Sequence, residues 1–187
     1  MSSTSEKKAR SEVGRDLEGL ADQWSKELDG LNVKPFIVVA SVLRMSILIE
    51  REFTALAQSH GLRPGDLRVL LALRRSGPKQ ALSPANLFRT LMITSGAVSK
   101  QVDSLEAKGL VTRIADPDNL RGLLVRLEPE GAAIANATME TICTDFCGMA
   151  DLEGEQLSTT LDVLADLLVR VESSSQPDDR RRWRETA

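Results

Sequence analysis

The stretch TSGAVSKQVDSLEAKGLVTRIADPDNLRGLLVRL, residues 94–127, constrains the fold more than any other part of the chain. Thr94 and Ser95 offer hydroxyls that can cap a helix start. Val98, Val102 and Leu105 follow at steps of four and three, which predicts a helix with one apolar side, and Gly109 supplies its stop. Leu110 to Ile114 then reads as a strand, Asp116-Pro117-Asp118-Asn119 as a turn, and Leu123, Val125 and Leu127 as the alternation of a return strand.

Upstream, Ser83-Pro84 predicts another start, a hydroxyl N-cap with proline in the first turn, for a short helix through about Thr90. The turn of Met92 to Thr94 joins the two helices so tightly that they read as a helix-turn-helix, and the hairpin makes it winged. The side of the second helix opposite Val98 carries Gly96, Ser99, Lys100, Asp103 and Ser104. That face is small and polar with one cation, and it could enter a major groove. Thr94, Ser95, Gly96, Ser99, Lys100 and Ser104 are therefore the candidate DNA contacts on the helix, with backbone N–H groups at its start suited to phosphate. On the wing the candidate is Arg121, either inserted into a narrow minor groove or bracing the turn against Asp116 or Asn119.

The formal net charge of −3 argues against a nucleic-acid partner only until it is resolved along the chain. Residues 61–127 carry eleven Lys/Arg against five Asp/Glu, a local +6, which leaves −9 on the flanks. A basic middle between acidic ends fits an anion-binding module on a scaffold that does not touch the anion. With 42% hydrophobic residues in 187 the chain can bury a core.

The rest of the chain reads as helices. Val13, Leu17, Leu20, Trp24, Leu28 and Leu31 form one stripe that stops at Gly30, and Pro35 to His60 is apolar on more than one side. Residues 35–49 contain Arg44 and fall short of a membrane span, and the polar start lacks the apolar core of a secretory signal, so a cytoplasmic protein is expected. Leu157, Leu161, Leu164, Leu168 and Val171 make a heptad-like seam, either a core stripe or a partner interface. The domains expected are a flexible start over 1–11, N-terminal helices over 12–60, the winged helix-turn-helix lobe over 61–127, C-terminal helices over 128–174, and a flexible tail over 175–187, the two helical segments being the dimerisation helices if the seam is an interface. The tail's Arg180 to Arg184 could touch DNA or acidic helices, or simply be solvated.

Catalysis finds no support. His60 is the only histidine, so neither a triad nor a histidine zinc helix can be assembled, and no nucleophile elbow or phosphate-binding glycine loop is present. No metal or cofactor is expected. Cys143 and Cys147, four apart, are either small packing residues or a redox pair.

The run LSPANLFRTLMITSGAVSKQVDSLEAKGLVTRIADPDNLRGLLVRLEPEG resembles the winged helix-turn-helix of MarR-type transcriptional regulators along its whole length. The resemblance implies a mainly α fold with a small β-wing, and a homodimer whose N- and C-terminal helices intertwine. It also implies a near-palindromic operator in double-stranded DNA, repression relieved by a small anionic or aromatic ligand, and no membrane role. Asn119 replaces the family's usual wing aspartate, Leu120 stands where a basic residue is frequent, and Glu128 replaces a common threonine. The leading helix with Trp24 is similar to that of the family's urate-responsive branch. That likeness implies a ligand site using Trp24 and Arg89, with the acid of the pattern near Asp66 or Arg68, and Gln101 in place of its recognition-helix arginine. Two other functions stay open from the residues alone, a thiol-switched regulator and a winged-helix module for protein contacts.

Overall fold

Two glycines in the left-handed region set the chain's principal turns. In the computed structural model, which describes residues 3–117 and 119–174 and omits the side chains of 3–11, 120 and 121, Gly61 (φ +65°) and Gly109 (φ +69°) each follow a helix end. At Gly109 its N–H donates to the Glu106 carbonyl at 2.9 Å and the Leu110 N–H reaches back to the Leu105 carbonyl at 3.0 Å. This double bond pattern satisfies carbonyls the helix leaves open and buries Leu110 beside Leu105. The same pattern recurs at Gly61, with Leu62 donating to the Ala57 carbonyl at 3.0 Å.

The chain divides into two units, 1–51 and 52–187. In the first, α1 (Ser3–Glu27) leads through a turn at Gly30 into α2 (Lys34–Ser59). The helix begins at Ser3, well ahead of the Val13 stripe and inside the stretch 1–11 where a flexible start was expected. Trp24 meets Phe36 edge to face, ring centroids 5.7 Å apart, a geometry that suits the aromatic quadrupoles. Asp16 and Arg44 approach to 3.8 Å with both side chains largely exposed, so their pairing contributes little.

The division falls inside α2, ahead of the expected boundary at residue 60. The reason is packing: Ala57 is fully buried in the core of the second unit, and Phe53 and Leu56 lean on it. That core gathers Leu67, Leu70 and Leu73 of α3 (Pro64–Arg74), Leu87 and Phe88 of α4 (Pro84–Leu91), and Val98, Val102 and Leu105 of α5 (Ser95–Ala107). Val111 of β2 (Val111–Asp116), Val125 of β3 (Asn119–Leu127) and Ala135 of α6 (Pro129–Thr144) close it. Both expected caps form: Ser83 Oγ accepts from the Asn86 N–H and Thr94 Oγ1 from the Ala97 N–H, each at 3.2 Å. Met92 takes the left-handed conformation that reverses the chain between the two helices.

The sheet has three antiparallel strands in the order β1-β3-β2. The hairpin pairs Val111 with Leu127 through Ala115 with Leu123, then shifts register so that Asp116 faces Asn119. Its third member, β1 (Ala81–Leu82), pairs with Val125 and Arg126 and was not foreseen, because two residues cannot display an alternation. After α6 a 3-10 turn (Met149–Asp151) leads to α7 (Gly154–Ser174). Its expected seam is left uncovered: Leu161, Leu168 and Val171 are each more than half exposed. The mainly helical fold with a small β-wing is the one the sequence predicts. The Arg180–Arg184 tail lies outside the described residues.

Gly131, in the first turn of α6, sits under the strand entry. A Cβ there would lie 2.3 Å from the Leu110 carbonyl oxygen and 2.9 Å from a Leu127 methyl. Backbone cannot yield cheaply, so Gly131→Ala should destabilise the lobe by about 1–3 kcal/mol. Urea unfolding followed by helical circular dichroism measures it, and an unchanged midpoint would contradict the packing described.

Candidate nucleic-acid interface

The faces of α5 divide cleanly. Val98, Val102 and Leu105 are buried, and the residues a half-turn away, Gly96, Ser99, Lys100 and Asp103, face solvent. Thr94 and Ser95 are exposed at the helix start, with Thr94 engaged as the cap. Five of the candidate contacts, Thr94, Ser95, Gly96, Ser99 and Lys100, thus share one open surface at the N-terminal half of the helix and its cap, with Lys100 at its centre.

Ser104 does not belong to that surface. Its hydroxyl donates to Asp66 Oδ2 at 3.1 Å, and the residue is half-buried against α3. At 100° per residue Ser104 stands about 120° from the inner stripe, which sequence alone counts as outward. The neighbouring α3 turns it into an internal contact. Beside it, Gln101 lies over the first turn of α3, where a Cβ on Gly65 would come within 2.2 Å of its amide nitrogen, and just past the helix end the exposed Lys108 Nζ donates to the Gly61 carbonyl at 2.5 Å. Gln101, Ser104 and Lys108 follow at steps of three and four, a polar stripe along which α5 meets α3 and the turn before it.

The opposite flank of α5 is tied to the wing. Glu106 accepts the backbone N–H of Arg113 at 3.0 Å and also its guanidinium, while Asp103 Oδ1 lies 2.5 Å from the other guanidinium nitrogen. Hydrogen bonding to Asp103 and then Glu106 raises Arg113 above its ordinary value, with burial working against them. The cation is fixed at every physiological pH. Sequence reading counted Arg113 only as one positive charge; nothing local marks an arginine on a strand as the partner of acids on the preceding helix. The backbone of Arg121 lies in β3, but its side chain is outside the described residues.

Within the second unit the structure separates Asp66, Arg68 and Arg89. Asp66 is buried, 1% exposed, and held by Arg63 (3.1 and 3.2 Å) and Ser104, so it faces α5. Arg68, two residues on, projects to the other side, its guanidinium carbon 4.7 Å from the centre of the Phe53 ring. There it lines a cleft of about 460 Å³ with Phe53, Leu71, Arg75, Leu91 and Met139, an apolar floor rimmed by cations. Arg89 is exposed on α4, bonded to Asn86 Oδ1, and is not among the residues lining that cleft. Trp24 lies in the other unit of the chain.

Cys143 and Cys147 are both free thiols and both exposed, so neither packs into the core of the chain. Among the described residues, no group of three or more histidines, cysteines or acids could hold a metal ion, and no helix is long and apolar enough to cross a membrane.

Comparison with known proteins meets this geometry at the same place in the chain. Residues 60–129, which include all of the helix-turn-helix and the wing, match the model of the MarR family. The chain is 29% identical over 125 residues to the HTH-type transcriptional regulator PecS of Dickeya dadantii, spanning 67% of this chain and 75% of that one. It is 37% identical over 67 residues to the multiple antibiotic resistance protein MarR of Salmonella typhimurium, there spanning 44% of the relative's length. Among solved structures, mutant MarR from E. coli complexed with operator DNA superposes with a TM-score of 0.60 at 22% identity, covering 74% of this chain and 99% of that one. A MarR family regulator from Streptomyces coelicolor in complex with DNA gives 0.62 at 20% identity, covering 81% and 94%. At those identities the superpositions speak for the fold alone. The family match thus lies on the lobe whose caps, turn and wing are described above: residues 60–129 form a winged helix-turn-helix similar to that of the MarR family of transcriptional regulators.

Proposed function

We propose that this regulator works as a homodimer that reads a near-palindromic duplex operator through α5 and the wing, represses from it, and is released by a small anionic or aromatic ligand. The observation that carries the DNA reading is the division of labour on α5. Its apolar side is buried, one polar flank is engaged with α3 and the other with β2, and only the small face around Lys100 is open to a groove. Gly96 and Ser99 let that face approach closely, and Lys100 supplies a donor for guanine edges or phosphate. Both DNA-bound structures named above belong to relatives with this fold.

Two apolar surfaces support the dimer. Val39, Leu43 and Ile47 on α2 are 55%, 60% and 70% exposed, and the α7 seam is open as well. Faces of that extent on separate helices are what a partner subunit would cover. Two identical lobes held about 34 Å apart would then meet successive major grooves on one side of the duplex.

The cleft beside Arg68 supports a ligand. An aromatic anion could lay its ring on Leu71, Leu91 and Met139 and its charge against Arg68 or Arg75. Arg68 carries this role in preference to Arg89, which the lobe places outside the cleft.

Three measurements follow from this reading. Lys100→Ala should weaken binding to a duplex selected from a random pool by the wild-type chain by about 1–3 kcal/mol, and weaken random duplex less. Titrations at several salt concentrations check it, and unchanged binding throughout would mean the docking face lies elsewhere. Sedimentation without DNA at micromolar concentration should give twice the 20.4 kDa chain mass; a monomer would overturn the assembly. With 2-hydroxybenzoate as the probe, the wild-type chain should leave the selected duplex, while Arg68→Gln needs about tenfold more ligand, the worth of one charge-assisted hydrogen bond. Arg89→Gln should release as the wild type does. Equal release by wild type and Arg68→Gln would remove Arg68 from the site.

A further inference from the structure

Asp103 poses a problem for the face it occupies. It stands one turn beyond Lys100 on the open side of α5, with its side chain 66% exposed. A carboxylate there would meet the phosphates of any duplex docked on Lys100, and like charges at close range repel. The structure supplies the compensation from the wing: Arg113, on β2, brings its guanidinium to Asp103 at 2.5 Å and to Glu106 beside it.

We propose that Arg113 is a positioning residue for DNA docking, locking the wing to the recognition helix and cancelling the Asp103 charge without itself touching the duplex; the proposal rests on the DNA-binding reading above. Three features of the contact carry it. The arginine's two terminal nitrogens are divided between two carboxylates, so its fork is used in a way a lysine cannot reproduce. Glu106 takes the Arg113 backbone N–H at 3.0 Å as well as the side chain, which fixes the strand itself and not merely its side chain. Only 31% of the Arg113 side chain is exposed, less than either Asp103 or Glu106, so the cation is the most enclosed member of the cluster. The wing's angle to the helix, and with it the distance between groove and wing contacts, is set by this three-residue clasp.

The consequence separates this role from an ordinary phosphate contact. If Arg113 acts through Asp103, then removing the arginine exposes an uncompensated carboxylate, and removing that carboxylate too restores much of what was lost. A phosphate contact, once deleted, is not restored by any change at Asp103. The experiment uses the full chain and a duplex selected from a random pool by the wild-type protein, with affinities measured across a salt series for Arg113→Ala, Arg113→Lys, Asp103→Asn and the double variant Arg113→Ala with Asp103→Asn. Arg113→Ala should bind about tenfold more weakly, within the usual range for coupled charged neighbours. Asp103→Asn should recover at least half of that loss on a logarithmic scale when added to it. The slope of log affinity against log salt should stay at the wild-type value in every variant, since no phosphate contact is removed. A slope reduced by about one unit in Arg113→Ala, or no recovery in the double variant, would overturn the proposal and make Arg113 a phosphate contact. Should Arg113→Ala fail to fold by thermal melting, Arg113→Lys carries the test: weaker binding with an unchanged slope is expected, and wild-type affinity would overturn it. A wild-type chain that selects no duplex removes the DNA-binding reading and this proposal with it, an outcome distinct from selection followed by an indifferent Arg113.

Discussion

The burial of Val98, Val102 and Leu105 against α3 fixes the rest of the lobe. Each of these side chains contributes about 1.5–3 kcal/mol when fully removed from water, so the rotation of α5 about its axis is not adjustable at low cost. Once that stripe is committed, the flanks follow. Gln101, Ser104 and Lys108 must meet α3 and the turn before it, Asp103 and Glu106 must meet the first hairpin strand, and the small residues around Lys100 are left outside. The open face is a product of the packing on the other three sides.

The turn at Gly109 makes this arrangement possible. By closing the helix with two backbone bonds and burying Leu110, it sends the chain into β2 after only three connecting residues. Glu128 continues the logic, its N–H donating to the Leu110 carbonyl at 3.0 Å, so that the strand entering the wing and the helix leaving it are tied at one point. Gly131 is small because that point has no spare volume.

How much of this could be read beforehand depended on the range of the physics involved. Caps at Ser83 and Thr94, the stop at Gly109, and the inner stripe of α5 are set by residues three or four apart, and all were legible. The direction of Ser104 was not, because it is decided by Asp66, 38 residues away. The two-residue strand β1 owes its existence to a partner at Val125 and Arg126, and the division of the chain inside α2 to Ala57 being drawn into the lobe's core. Asp66 itself gave one local hint, an arginine three residues before it, and that arginine is its partner. The sorting of Asp66 and Arg68 to opposite sides of α3 required the neighbouring elements to be in place.

The clasp at Arg113 has a bearing on solubility that its charges alone do not suggest. In the order β1-β3-β2, the strand that carries Arg113 lies at the sheet's free edge, and a free edge presents unpaired backbone donors to which another chain's strand can add. The Glu106 carboxylate occupies one of those donors, the Arg113 N–H. A hairpin that has to stand out from the body of the protein is the segment most able to recruit a neighbour's backbone. Here an acid from the adjoining helix caps that edge from within the same molecule.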